Sequence, residues 1–261
     1  MIKKLLTTLL VAGILLTPSV SFATTPHFQV DTGGTLTTNL QAYYKLEDTT
    51  DFWGTNNLTN NNSVTFVAGK VGNAANFVVA SSQYLSLAAP LSTSVDNVSI
   101  FMWVYVPSTS EKGGFLMNGK QGSGVNDGYG IGIGGTTFDD TGNHLIGLVQ
   151  NVAWMDFGTN IGTGWHFVGM IRNAGTWTGY IDNVAAATTY TSTPITPTSN
   201  FVVGAGLTFV NEYWNNKIDE VGFWNKALST TEITDLYNSG NGQTMVVTTA
   251  LAPMQVLWIG Y

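Results

Sequence analysis

Residues 98–106, VSIFMWVYV, restrict the fold of this chain more than any other stretch. In an extended strand successive side chains point to opposite faces, so Val98, Ile100, Met102, Val104 and Val106 share one face while Phe101, Trp103 and Tyr105 share the other. Both faces are apolar. A strand with one face in water alternates apolar with polar residues, so this one belongs in the middle of a layered structure, covered on both sides or lining a groove.

Other segments of alternating or β-rich character are 41–46, 63–67, 75–79, 84–87, 114–117, 129–134, 144–150, 166–172, 176–181, 200–203 and 218–224, punctuated by Gly, Asn, Asp and Pro. Asn173-Ala174-Gly175 and Asp182-Asn183 read as hairpin turns, because Asn, Asp and Gly tolerate positive φ. About a dozen strands with short connections describe an all-β antiparallel sandwich or barrel. Charged residues make up only 10% of the chain, so its surface rests on Thr, Asn, Ser and Gly, which favour strands and turns and exclude a helical bundle. One short helix is expected, opened by the capping box Ser229-Thr230-Thr231-Glu232 and stopped at Gly240.

The spacing of signals divides the 261 residues into four parts. Residues 1–23 carry a basic start at Lys3 and Lys4, an apolar run from 5 to 16 and the small-residue pattern Ser21-Phe22-Ala23, and read as a cleaved secretory signal. The apolar run is too short to span a bilayer. Residues 24–37 are expected as an exposed leader, 38–242 as a single domain, and 243–261 as an apolar tail that forms an extra strand or begins a region of a longer gene. These parts imply a secreted or cell-surface protein. It has no cysteine, so neither disulfides nor thiol chemistry are open to it. Nine basic residues against 16 acidic ones exclude nucleic-acid binding, which needs a basic surface; a cation or a neutral ligand suits the balance better.

The run KIDEVGFWNKALS at 217–229, continued by TTEITDLYNSG, is similar to the C-terminal signature of the LamG-like jellyroll domains of the concanavalin A-like lectin/glucanase superfamily. AYYKLED at 42–48, FVAGKVGNAANF at 66–77, SIFMWV at 99–104, WHFV at 165–168 and GYIDN at 179–183 match the same family in the same order. The resemblance implies a two-sheet jelly roll over nearly all of 40–242. It leaves function open, since such domains serve as sugar-binding modules, glucanases, adhesion modules and structural fillers. It also implies one structural Ca²⁺, held by Asp219 with help from Asp48 and from backbone carbonyls near Asp48 or Gly69.

The residues themselves argue against hydrolysis by paired carboxylates. None of the five glutamates, Glu47, Glu111, Glu212, Glu220 and Glu232, is spaced from another as two carboxylates on one strand face require, and Asp219 and Glu220 are expected on opposite faces. Gly130-Ile131-Gly132-Ile133-Gly134-Gly135 fits the letters of a dinucleotide fingerprint, but no helix opening follows it; the glycines read instead as room for something packed against a strand. A sugar site needs aromatic platforms, and Trp53, Trp154 and Trp214 lie in polar, turn-rich surroundings that would expose them. The expectation is therefore a secreted, non-catalytic module binding a polysaccharide or glycan, or a cell-surface protein as an adhesion domain. The rival readings are a divergent glycan hydrolase or lyase and a structural subunit of a surface assembly.

Overall fold

A computed structural model describes residues 24–119, 121–122, 125–206 and 212–249, so the expected signal at 1–23 and the end of the tail lie outside the described residues. Residues 26–247 form one compact unit; the two chain ends, 1–25 and 248–261, form another, of which only 24–25 and 248–249 are described.

The strands in chain order begin with β1 (Thr24–Phe28), β2 (Leu40–Tyr44), β3 (Thr59–Asn61), β4 (Thr65–Ala68), β5 (Asn73–Asn76), β6 (Tyr84–Leu87) and β7 (Val98–Val106). There follow β8 (Gly113–Asn118), β9 (Gln121–Gly122), β10 (Val125–Asn126), β11 (Tyr129–Gly134), β12 (His144–Val149), β13 (Ala153–Asn160) and β14 (Gly164–Asn173). The last are β15 (Thr176–Ile181), β16 (Val184–Thr191), β17 (Phe201–Val203) and β18 (Lys217–Trp224), then the helix α1 (Thr230–Tyr237) and β19 (Met245–Thr249).

They build two antiparallel sheets. One has seven strands in the order β13-β12-β11-β8-β17-β6-β3, the other eight in the order β16-β15-β14-β7-β18-β5-β4, with β2 also paired to β18. Strand β7 lies between β14 and β18, in register with β14 from Val98 opposite Arg172 to Val106 opposite Gly164. Its two apolar faces serve two layers. Val98, Ile100, Met102, Val104 and Val106 join Ile131, Leu145, Phe157, Phe201 and Phe223 in the core between the sheets. Phe101 and Trp103 turn outward into a second apolar layer with Tyr43, Trp224, Leu228, Ile233 and Leu236. Full burial of an aliphatic or Phe side chain contributes about 1.5–3 kcal/mol, so two layers stabilise a sandwich that has no cross-links.

Both expected hairpin turns are present. Ala174 and Gly175 (φ 46° and 90°) join β14 to β15, and Asp182 and Asn183 (φ 49° and 68°) join β15 to β16, the left-handed pairs that match the twist of the flanking strands. The helix opens on the expected capping box, Ser229 accepting from the Glu232 N–H and Glu232 reaching back to the Ser229 N–H. It ends earlier than Gly240: Asn238 adopts the left-handed conformation (φ 47°) and its N–H closes on the Thr234 carbonyl. Asn is the side chain that enters this region at least cost after Gly.

Residues 24–37 are mostly exposed but are tied to the domain. Phe28 and Leu36 are buried in the outer layer, Thr32 donates from its backbone N–H and its hydroxyl to Asp235 (2.6 and 2.7 Å), and the Thr35 hydroxyl donates to Glu232 (2.6 Å). Polar residues carry the segment and Val30 is exposed, but Phe28 and Leu36, eight positions apart, both find the same layer. The tail supplies the expected extra strand, as β19 pairs with β1 and Met245 is buried beside Phe28.

Candidate functional site

The two sheets present different outer faces. On the eight-stranded sheet, α1 and the segment leading to Leu36 roof the second apolar layer, and Trp224 donates its indole N–H to the Leu36 carbonyl (2.6 Å). On the seven-stranded sheet, β11 sends Tyr129, Ile131 and Ile133 into the core, so Gly130, Gly132 and Gly134 occupy its outer face. A Cβ on Gly130 would meet the Met117 sulfur at 1.8 Å, and one on Gly132 would meet the Phe138 ring at 2.7 Å. The glycines therefore let Met117 and Phe138 lie directly on the strand, as the alternation of Gly with Ile implied. Asp140 pins the loop carrying Phe138 by accepting the N–H groups of Thr136 and Thr137 (2.9 and 2.7 Å), and these bonds hold its carboxyl below the usual carboxylate range.

Beside Phe138, and meeting it edge to face with centroids 4.9 Å apart, stands Trp154. It is 37% exposed, and it lines a depression at the β12–β13 hairpin with Leu148, Gln150 and Val152. Gln150 is buried, and its amide nitrogen has no hydrogen-bond partner. A buried N–H₂ left without an acceptor costs about 1–3 kcal/mol, which a ligand oxygen would recover. Two residues along β13, on the same outer face, Asp156 meets His144 of β12 at 3.0 Å, both partly exposed. An exposed indole flanked by an amide, a carboxylate and an imidazole can stack on an apolar ring and bond its hydroxyls.

The other two tryptophans singled out from the sequence are placed elsewhere. Trp214 is fully buried in the inter-sheet core, edge to face with Phe115 at 4.9 Å and donating to the Lys217 carbonyl (3.4 Å), so it cannot be a ligand platform. Trp53 is half-buried, packs against the outer layer of the eight-stranded sheet and donates to the Leu40 carbonyl (2.8 Å), which fixes it as a strut of that layer.

Asp219 and Glu220 do not point to opposite faces. The ladder between β18 and β7 shifts register between Asp219 and Gly222, and Glu220 takes a positive φ of 51°, a bulge that buries both carboxyls on the roofed side. Asp219 Oδ2 accepts the N–H groups of Lys70 and Val71 (2.8 and 2.9 Å), while Oδ1 is buried without a partner; burial pushes this carboxyl up to about 7. Glu220 Oε2 bonds the Tyr43 hydroxyl, which also lies 2.9 Å from the Gln243 carbonyl, and Oε1 has no partner. Burial, then the Asp219 charge, raises the Glu220 carboxyl well above its ordinary range. Asp48 is exposed, and its carboxylate accepts the Thr50 N–H (2.7 Å). Among the described residues there is no group of three or more acidic or histidine side chains able to hold a metal. Among the described residues two buried carboxylate oxygens, Asp219 Oδ1 and Glu220 Oε1, are left without a partner, and such an oxygen has the character of a cation ligand.

The family model of the concanavalin A-like lectin/glucanases superfamily matches residues 79–234. The chain belongs to this superfamily. Comparison with curated proteins found no match. Among solved structures, domain 4 of AbnA, a GH43 extracellular arabinanase from Geobacillus stearothermophilus, in complex with arabinotriose, is similar with a TM-score of 0.60 and 22% identity, over 76% of this chain and 97% of that one. The binding domain of Paraclostridial Mosquitocidal Protein 1 has a TM-score of 0.59 and 15% identity, over 78% of this chain and 53% of its own. The botulinum neurotoxin serotype D ligand binding domain in complex with N-acetylneuraminic acid has a TM-score of 0.56 and 13% identity, over 77% and 51%. The chain spans about half the length of these two toxin domains. At such identities the likeness establishes the fold, the jelly roll common to the superfamily, and leaves the ligand to be argued from the site. Among the described residues no helix is long and apolar enough to cross a membrane.

Proposed function

We propose that the chain is an exported, non-catalytic carbohydrate-binding module that holds a neutral glycan at the β12–β13 hairpin. The observation that carries this reading is an exposed indole, Trp154, beside a buried amide, Gln150, that lacks a partner. Trp154 stacks on the C–H face of a sugar ring, and Gln150 and the Asp156–His144 pair bond its hydroxyls. The arabinotriose in the complex of the similar arabinanase domain supplies the first probe. Titration calorimetry with arabinotriose and a neutral glycan panel is expected to give binding that Trp154→Ala reduces at least tenfold, with no release of reducing ends. Binding unchanged in the variant would sink this site, and released reducing ends would favour the hydrolase reading.

A Ca²⁺ on Asp219 Oδ1 belongs to the same reading. Its remaining ligands would be backbone carbonyls and water, and bound there it would neutralise a buried carboxylate and tie β18 to the 69–72 turn. Added Ca²⁺ should raise the melting temperature of the wild type and leave that of Asp219→Asn unchanged; equal responses would remove the ion from the account.

A further inference from the structure

Helix α1 does not roof the whole outer face of the eight-stranded sheet. Its last residue, Tyr237, stacks on Trp103 with ring centroids 5.9 Å apart and an interplanar angle of 14°. One rank further along the same strands, Tyr105 of β7 and Trp165 of β14 stand opposite each other in register, edge to face at 5.6 Å, both half-buried. Lys217, at the start of β18, lays its Nζ over both rings, 4.7 Å from the Tyr105 centroid and 5.4 Å from that of Trp165. Lys70 does the same over Trp103 at 4.5 Å. Trp103 and Tyr105 are two residues apart on one face, so the ranks lie about 7 Å apart by strand rise.

Among the described residues these two lysines, like Lys45 over Phe52, lie over rings, whereas other cations are spent on acceptors. Lys226 is paired with Glu232, Lys112 donates to the Asp139 carbonyl, and Arg172 spends its guanidinium on the Ser192 and Asp96 carbonyls. Among the described residues neither Lys70 nor Lys217 has a carboxylate partner or a hydrogen bond from its Nζ. An ammonium over a ring gains from the ring quadrupole but keeps its three donors for another acceptor. Asp219, opposite Trp103 in register, is fully buried, with one oxygen committed to the Lys70 and Val71 N–H groups. In a chain of net charge −7, two cations without carboxylate partners on adjoining aromatic ranks offer free donors to an anion.

We propose that Tyr105, Trp165 and Lys217, with Lys70 behind them, form a second binding site, specific for a saccharide that carries a carboxylate. The ring of a uronic acid lies on Trp165, and its carboxylate meets Lys217 in a charge-assisted hydrogen bond. The aromatic rank alone would accept any sugar; the lysines make the site acid-selective.

The probes are trigalacturonate and its fully methyl-esterified form, which keeps the rings and removes the charge, titrated by calorimetry in low-salt buffer. The wild type is expected to bind the acid, and to bind the ester at least tenfold more weakly. Lys217→Gln, which keeps most of the side-chain stem over the rings, should weaken the acid by about the same factor at an unchanged melting temperature, and Trp165→Ala should abolish binding. Trp154→Ala should leave trigalacturonate untouched, which separates this site from the hairpin. Equal affinity for acid and ester, no binding of the acid, an unchanged Lys217→Gln, or loss of the acid in Trp154→Ala would each overturn the proposal. Competition by inorganic sulfate at the concentration of the trisaccharide would reduce the site to a bare anion patch and overturn its saccharide part.

Discussion

The two sheets solve the same problem, an outer face with apolar side chains, in opposite ways. The eight-stranded sheet places Phe101, Trp103 and Trp224 on that face and covers them with α1, Phe28, Leu36 and Met245. The seven-stranded sheet places Gly130, Gly132 and Gly134 there, and Met117 and Phe138 fill the space over them within a smaller apolar cluster that includes Ile146, Leu148, Val202 and Ala205, leaving Trp154 at the margin. The first face is built from parts far apart in sequence and serves stability. The second is a smaller cluster, built mostly of strand residues with Phe138 from a loop, and it keeps an indole open to solvent.

That contrast can be broken by substitution. Trp224→Ala should cost the most, about 3–5 kcal/mol, because it empties the roofed layer and frees the Leu36 carbonyl; urea unfolding measures it, and a loss below 1 kcal/mol would show that the roof is dispensable. Gly132→Val on the other face should cost less, about 1–3 kcal/mol, by crowding the Gly113 carbonyl and displacing Phe138, and should disturb Trp154 with it. The comparison is sharpened by pH. Glu232, bonded to Lys226, Thr35 and Ser229, has its carboxyl lowered to about 2 from 4.5, so its stabilisation is full above pH 4.5 and is lost as the pH falls through about 2. Glu232→Gln should flatten the melting temperature over that window. The smallest effect on stability belongs to Trp154→Ala, under about 1 kcal/mol, despite its expected effect on binding.

Much of the roofed face was legible in the chain because its signals are local: the doubly apolar VSIFMWVYV, the capping box at Ser229 and the KIDEVGFW run each name an element and a side. What escaped was contact at a distance. Phe28 and Leu36 sit among polar residues with no period to mark them, yet both are buried. Strand β13 carries Trp154 but mixes Asp156 and Gly158 into its pattern, and β16, VAAATTYT, is mostly exposed, so neither alternates clearly enough to be read as a strand. Trp154 and Trp214 have similar sequence surroundings and opposite fates, because burial of one ring depends on which strand edge folds over it. The bulge at Glu220 was invisible for a related reason: a positive φ at a glutamate is imposed by the ladder on both sides.

The placement of Trp154 also gives the molecule an optical handle. Trp103, Trp177, Trp214 and Trp224 are buried, Trp53 and Trp165 half-buried, and Trp154 alone among the described tryptophans is exposed. Iodide should quench its red-edge emission first, and a sugar seated on it should protect it, so occupancy of the hairpin can be followed by fluorescence without any label.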